Sequence, residues 1–245
     1  MIHYHGTPTG ATRIDTERFL RGRHALIPFP RPDDLASAMD VCQSFVVDNG
    51  AFTVWKQGGK LDVEGYVAWV RKIARHPAFV WALIPDVIDG SERENNALVD
   101  AWPRTELPGV PVWHYHESLD RLRDLVAYWP TVALGSSGLW PTPGTESWWA
   151  RTTEIMEAVT DEHGRPYCRL HGLRMLSPDI FRHLPLASAD STNAVRNANL
   201  TQRFGMYAPP TPAQRMDVIA SRIESEQSAA CWIGVPREAD LFEVI

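Results

Sequence analysis

The sequence predicts an α/β fold, namely a (β/α)8 TIM barrel that forms a single compact domain over residues 1–245. Short apolar runs, mostly rich in β-branched and aromatic residues, predict buried strands. Stretches with apolar residues at helical spacing separate most of these runs, which is typical of a parallel sheet covered by helices on both faces. Eight such units in a chain of 245 residues match the usual barrel size.

Each predicted strand is a short apolar run followed closely by a polar residue, glycine or proline. In chain order the predicted strands are Ile2–His5, Ala25–Pro28, Phe45–Asp48, Phe79–Pro85, Val110–His114, Thr131–Leu134, Cys168–His171 and Leu186–Asp190. An open doubly wound sheet is the alternative architecture, but the usual GxGxxG phosphate loop is absent from the sequence.

The predicted helices lie between these strands. The stretch Val63–Ile73 shows apolar residues at helical spacing, and Ser177 with Pro178 forms a helix-start signal. The predicted helices are Thr16–Arg21, Asp33–Cys42, Val63–Ile73, Glu92–Trp102, Leu119–Tyr128, Glu146–Glu162, Ser177–His183 and Pro212–Ser225.

The charge, the cysteines and the apolar segments of the sequence limit the kinds of function that fit it. The net charge is −6 and no basic run is present, so non-specific electrostatic binding of nucleic acid should be modest. The three cysteines are widely spaced and form no CxxC motif, which supports neither a thiolate zinc site nor a disulfide framework. Without a signal peptide or a membrane-length apolar segment, the chain is expected to be cytoplasmic.

Polar residues concentrate on the predicted strands, mostly at their carboxyl ends, where the active sites of (β/α)8 barrels lie. Asp48 and Asp190 each end a strand, and the segment SFVVDNGAF around Asp48 combines a carboxylate, small residues and an aromatic ring. The other polar or small residues in such positions are His3, His5, Asp86, His114, His116, Gly135–Gly138 and His171. This clustering predicts a binding or catalytic site.

Two chemistries fit this set. Paired carboxylates, here Asp48 and Asp190, can break a glycosidic bond with one acting as nucleophile and the other as general acid/base. Alternatively, histidines and a carboxylate can bind zinc and generate hydroxide, as in amidohydrolase-like enzymes. The residues for this second chemistry would be His3, His5, His114, His171 and Asp190.

Five segments, DNGAF, IPDV, LGSSG, HGLRML and SADSTNAVRN, occur in an order that resembles the tRNA-guanine transglycosylase superfamily. The resemblance covers roughly residues 45–197. The cysteine-rich zinc subdomain of the tRNA enzymes has no counterpart in this sequence. The chain is therefore most similar to the compact, phage-type enzymes that insert 7-deazaguanine bases into DNA.

The resemblance implies base exchange through a covalent intermediate, without a metal or other cofactor. It assigns the nucleophile to Asp190 and the general acid/base to Asp48. Asp86 would accept hydrogen bonds from the purine edge, and Phe52 would stack on the base. The residues expected to bind the base are Asn49, Gly50, Phe52, Asp86, His114, Gly135, Ser136, Gly138, His171 and Gly172.

The expected partners are DNA and a 7-deazaguanine base such as 7-cyano-7-deazaguanine, with Arg174 and Arg196 as contacts to the nucleic acid. Transfer to tRNA, as in queuine-type enzymes, is the rival within the family. Two other classes stay open, a metal-dependent hydrolase and a barrel that binds a nucleobase without catalysis. The sequence leaves open whether the barrel forms a homodimer, and no membrane partner is expected.

Overall fold

The computed structural model describes residues 1–8, 11–29 and 33–234. In this part of the chain all paired strands run parallel in one sheet. The strands are β1 (Ile2–Gly6), β2 (His24–Pro28), β3 (Ser44–Asp48), β4 (Phe79–Leu83), β5 (Gly109–Val110), β6 (Val112–His114), β7 (Thr131–Gly135), β8 (Arg169–Leu173) and β9 (Ser188–Ser191). The strand order β5-β4-β3-β2-β1-β9-β8-β7-β6 places the first and last strands side by side.

The predicted strand Val110–His114 is interrupted at Pro111 and forms β5 and β6. Proline lacks the N–H that a central strand donates and also fixes φ, so the ladder breaks there. The segment before Pro111 pairs with β4 and the segment after it pairs with β7. β5 and β6 are thus successive pieces of one barrel strand, and the predicted (β/α)8 barrel is confirmed.

Helices follow most strands. Their bounds are α1 (Arg13–Leu20), α2 (Asp33–Val41), α3 (Ala51–Lys56), α4 (Val63–Ile73), α5 (Glu92–Ala101), α6 (Leu119–Tyr128), α7 (Glu146–Val159), α8 (Pro178–Phe181), α9 (Asn193–Asn197) and α10 (Pro212–Glu224). The sequence analysis did not predict α3 or α9. Gly50, with φ of 80°, turns the chain directly from β3 into α3.

Side chains alternate between two apolar layers. Tyr4, Trp81 and Val46 belong to the layer inside the barrel. Their strand neighbours, among them Phe45 and Val47, pack instead between the barrel and the helices. Because side chains on a strand alternate in direction, every second residue faces the barrel interior and the residues between them face the helices.

Within the described ranges, no helix combines the length and apolar character needed to cross a bilayer.

Candidate functional site

A cavity of about 580 Å³ opens at the carboxyl ends of the strands. This volume lies in the ~300–1,000 Å³ range of small-molecule sites. Inward-facing residues at the last strand positions form its walls, and the loops that follow the strands form its rim. The lining residues are Gly6, Thr7, Leu26, Pro28, Asp48, Asn49, Ala51, Phe52, Thr53, Lys56, Leu83, Asp86, Ile88, His114, Gly135, Ser136, Leu173, Arg174, Asp190, Thr192 and Arg196.

Most of the residues predicted to form a site meet in this cavity. Those that line it are Asp48, Asn49, Phe52, Asp86, His114, Gly135, Ser136, Arg174, Asp190 and Arg196. The carboxylates of Asp48 and Asp190 thus face the same space although 142 residues of sequence separate β3 Asp48 from β9 Asp190. The structure supports the predicted clustering of carboxylates at the barrel mouth.

Asp48 is a carboxyl group in a poorly solvated position. Its pKa is raised from 3.8 to about 7, mainly because burial disfavours the charged carboxylate. The N–H of Gly50 donates to Oδ1 at 3.0 Å and opposes this effect, whereas the negative charges of Asp86 and Asp190 add to it. Asp48 therefore exchanges a proton near neutral pH, as a general acid/base requires.

The raised pKa of Asp48 predicts a pH-dependent stability. Between about pH 4 and pH 7 the folded protein holds a proton on Asp48 that the unfolded chain has lost, so wild-type stability falls as the pH rises through this range. We expect Asp48→Asn, which cannot ionise, to gain stability relative to wild type over this range. Urea unfolding at pH 5 and at pH 8 measures the difference.

The control for this measurement is Asp120→Asn, because the Asp120 side chain is 89% exposed. Its stability relative to wild type should be the same at both pH values. An Asp48→Asn difference that is equally independent of pH would contradict the raised pKa.

Asp86 is buried and held from both sides. Its Oδ1 accepts from Asn49 Nδ2 at 2.8 Å, and its Oδ2 lies 2.9 Å from His114 Nε2. Asn49 also donates to the carbonyl of Ile84 and accepts from the N–H of Ala51, so its side chain is fixed. Asp86, Asn49 and His114 together form a rigid polar wall, and each carboxylate oxygen still has lone-pair capacity for a ligand.

Asp190 lies across the cavity on β9 and is 8% exposed. The backbone N–H of Arg174 donates to its Oδ1 at 3.0 Å. His171 Nε2 lies 3.4 Å from the same oxygen. Among the described residues we find no hydrogen bond to Oδ2, so this second oxygen keeps lone-pair capacity for a ligand.

Arg174 bridges the cavity mouth in a strained conformation, with φ of 59°. Its guanidinium group lies 4.4 Å from the centre of the Phe52 ring and donates to the carbonyl of Ser136. Lys56 Nζ lies 4.7 Å from the same ring. The aromatic face predicted to stack on a base thus carries cations, and Lys56 is a cavity residue that the sequence analysis missed because α3 was not predicted.

Several predicted base-binding residues lie outside the cavity lining. Gly50 and Gly138 adopt positive φ angles, which glycine allows where the chain turns. At Gly138 a Cβ would also lie only 2.9 Å from His116 Cβ. Gly172 faces the helix layer, where a Cβ would lie 2.9 Å from both Leu186 and Met175, so it does not contribute to the cavity wall. His171 lies below the cavity floor and contacts Asp190 instead.

The histidines of β1 face away from the cavity. His3 contacts the carbonyl of Glu226, and His5 contacts the carboxylate of Glu224, both at the C-terminal end of α10 or just beyond it. Tyr4, between them, occupies the barrel interior. The five-residue metal set proposed for a hydrolase is therefore not brought together, and no group of three or more metal-ligating side chains occurs in the described ranges.

A buried charge network lies behind His114. Glu117 accepts from the N–H of His114 and from Asn95, and it pairs with Arg121 at 2.6 Å. Arg121 also donates to the carbonyl of Val112, on the strand that carries His114. The sequence analysis missed this network because Glu117 and Arg121 resemble ordinary charged residues near the start of a helix.

The comparisons with known proteins bear on the fold. No protein-family model and no curated protein matches the chain. A mutant tryptophan synthase alpha-subunit from the hyperthermophile Pyrococcus furiosus matches with a TM-score of 0.52 and 11% identity over 92% of this chain and 98% of that one. A second mutant of that subunit gives 0.51 and 12% over 91% and 96%.

A protein from Aquifex aeolicus VF5 gives a TM-score of 0.50 at 9% identity over 93% of both chains. The chain has the TIM-barrel fold. At such low identity the likeness extends to the fold alone, because one barrel supports many chemistries.

Proposed function

We propose that this chain is a base-exchange transglycosylase that replaces guanine in DNA with a 7-deazaguanine derivative. The observation that carries the proposal is the pair of unlike carboxyl groups in one cavity. Asp48 has a pKa of about 7, and Asp190 has one oxygen held by a backbone donor. Two carboxyl groups in different environments can divide the roles of proton carrier and nucleophile.

In the first half-reaction, Asp190 Oδ2 attacks C1′ of the target nucleotide while the bond from C1′ to the guanine nitrogen breaks. Protonated Asp48 gives its proton to the departing guanine. In the second half-reaction, Asp48 takes a proton from the incoming deazaguanine, whose nitrogen attacks C1′ and releases Asp190. Two displacements restore the original configuration at C1′.

The cavity wall that faces Asp190, formed by Asp86 and His114, supports recognition of a purine. Asp86 and His114 present hydrogen-bonding groups that can pair with the amide edge of guanine, and both are held by neighbours. The planar guanidinium of Arg174, which lies 4.4 Å from the centre of the Phe52 ring, provides a flat surface against which a base can stack. A guanine in a duplex must leave the base stack to reach this site, so the reaction includes base extrusion.

The test is nucleoside mass spectrometry of DNA and tRNA from cells that express the chain together with a source of 7-deazaguanine bases. We expect a 7-deazaguanine nucleoside in DNA. Its appearance only in tRNA would replace the DNA assignment with the queuine-type alternative. Binding of the free base without exchange into either polymer would replace catalysis with a binding function. The reaction is assigned to the cytoplasm, that of the host cell if the chain is phage-encoded.

Arg196 offers a second test, because it lines the cavity mouth and is exposed. If it contacts a phosphate, Arg196→Ala should weaken DNA binding across sequences and lower the slope of log affinity against log salt by about one. Fluorescence anisotropy with a labelled duplex at several salt concentrations measures the slope.

The matched control is Arg71→Ala. Arg71 lies in the last turn of α4, at the opposite end of the barrel, and pairs with Glu106. This variant should leave the slope unchanged. Equal slopes for Arg196→Ala and wild type would remove Arg196 from the DNA interface.

A further inference from the structure

His171 is a fully buried residue with an unsatisfied ring nitrogen. It is 0% exposed, and its Nε2 has no hydrogen-bond partner by the usual geometry. That nitrogen lies 3.4 Å from Asp190 Oδ1, slightly beyond the usual N–H···O range. A buried polar atom without a partner costs free energy, so its position next to the candidate nucleophile requires a physical reason.

The second nitrogen of His171 indicates which atom carries the proton. Nδ1 lies 2.8 Å from the hydroxyl of Ser188, on the neighbouring strand β9. If that hydroxyl donates to Nδ1, a singly protonated ring carries its proton on Nε2, the nitrogen nearer to Asp190. The reverse tautomer would set the Nε2 lone pair against a carboxylate oxygen, which is repulsive.

The barrel interior fixes the plane of the ring. Trp81 packs edge-on against His171 with a centroid separation of 5.0 Å, and Tyr4 does so at 6.1 Å. Both are buried core residues. The imidazole therefore has little freedom to turn away from Asp190, and its orientation is set by packing as well as by Ser188.

We propose that His171 is a positioning residue for Asp190, with Ser188 fixing its tautomer. The N–H of Arg174 donates to Oδ1, and Nε2 of His171 lies 3.4 Å from the same oxygen. Together these contacts restrict the carboxylate rotamer and leave Oδ2 for C1′. The catalytic part of this inference rests on the proposed function, because it takes Asp190 as the nucleophile. The tautomer and the contact do not depend on any reaction.

The first test is spectroscopic and needs no substrate. Long-range ¹H–¹⁵N NMR of the histidine rings identifies the protonated nitrogen, and the spectrum of His171→Gln assigns the His171 signals. We expect the Nε2–H tautomer in wild type and a mixture of tautomers in Ser188→Ala. An Nδ1–H tautomer in wild type would overturn the proposal whether or not the protein exchanges bases.

The second test is kinetic. His171→Phe removes the donor and should lower kcat about 100-fold, because small misplacement of a reacting group has effects of this size. KM should change little. His171→Gln keeps an N–H donor near the position of Nε2 and should recover most of kcat. Equal losses in His171→Phe and His171→Gln would reduce His171 to a packing residue.

The chain offers a matched control pair. His24 and Ser44 form the same kind of contact between neighbouring strands, with Nδ1 at 2.7 Å from the hydroxyl, at the amino end of the barrel away from Asp190. His24→Phe should leave kcat close to wild type. A wild-type protein with the Nε2–H tautomer but no base exchange on DNA or tRNA would refute the proposed function while the His171–Asp190 contact stands.

Discussion

Asp190→Asn is expected to abolish base exchange while the barrel stays folded. The substitution keeps the size of the side chain, and its amide oxygen can still accept from the N–H of Arg174. An amide cannot form the ester to C1′, so we expect a loss on the order of 10⁴-fold, as for removal of other enzymatic nucleophiles. Exchange of labelled guanine into DNA measures the rate.

Direct detection of the intermediate sharpens this prediction. Wild-type protein quenched with acid during turnover should carry a covalently attached DNA strand, visible as a slower band on a denaturing gel, and Asp190→Asn should carry none. Asp89→Asn is the control, because Asp89 is an exposed residue that accepts a hydrogen bond from Trp55. Substantial exchange by Asp190→Asn would remove Asp190 from the role of nucleophile.

The largest effect on stability is expected at Glu117. Its side chain and that of Arg121 are 0% and 2% exposed, and their charges neutralise each other at 2.6 Å. Glu117→Leu leaves the Arg121 cation buried without its partner and should cost about 3–5 kcal/mol of unfolding free energy. In a domain of this size, that corresponds to a melting temperature lower by roughly 6–20 °C.

The double variant Glu117→Leu/Arg121→Met separates the cost of a lone charge from that of the whole network. It removes both charges, so it should recover much of the loss. The control is Asp120→Ala, which breaks the exposed pair with Arg123 and should change stability by less than about 1 kcal/mol. A small effect of Glu117→Leu in urea unfolding would show that the buried pair contributes little.

The strands were predictable because burial on both faces makes them short apolar runs. The break at Pro111 was not predicted, since β5 and β6 also read as one continuous run. α3 was not predicted because the Asn-Gly pair, read as a turn, is in the structure the start of a helix. In both places, backbone geometry departs from what the apolar pattern indicates.

The site was predictable where it depended on position along a strand and unpredictable where it depended on direction. Asp48, Asp86 and Asp190 were identified because they follow apolar runs. Side chains alternate along a strand, but the sequence of one strand does not show which alternate set faces the barrel interior. For His3 and Gly172 that direction depends on how the strands are aligned when the barrel closes. Glu117 was missed because its partners come from other elements.

The outward histidines of β1 also make the closure of the barrel depend on long-range contacts. β1 pairs with β9, and its His5 bonds Glu224 at the end of α10, so β1 completes these contacts with residues as far as 219 positions along the chain. Loops of this length close slowly. Until β9 forms, the edge of β1 that it covers has unpaired backbone groups. We therefore expect a folding intermediate that lacks β9 to aggregate through the open edge of β1.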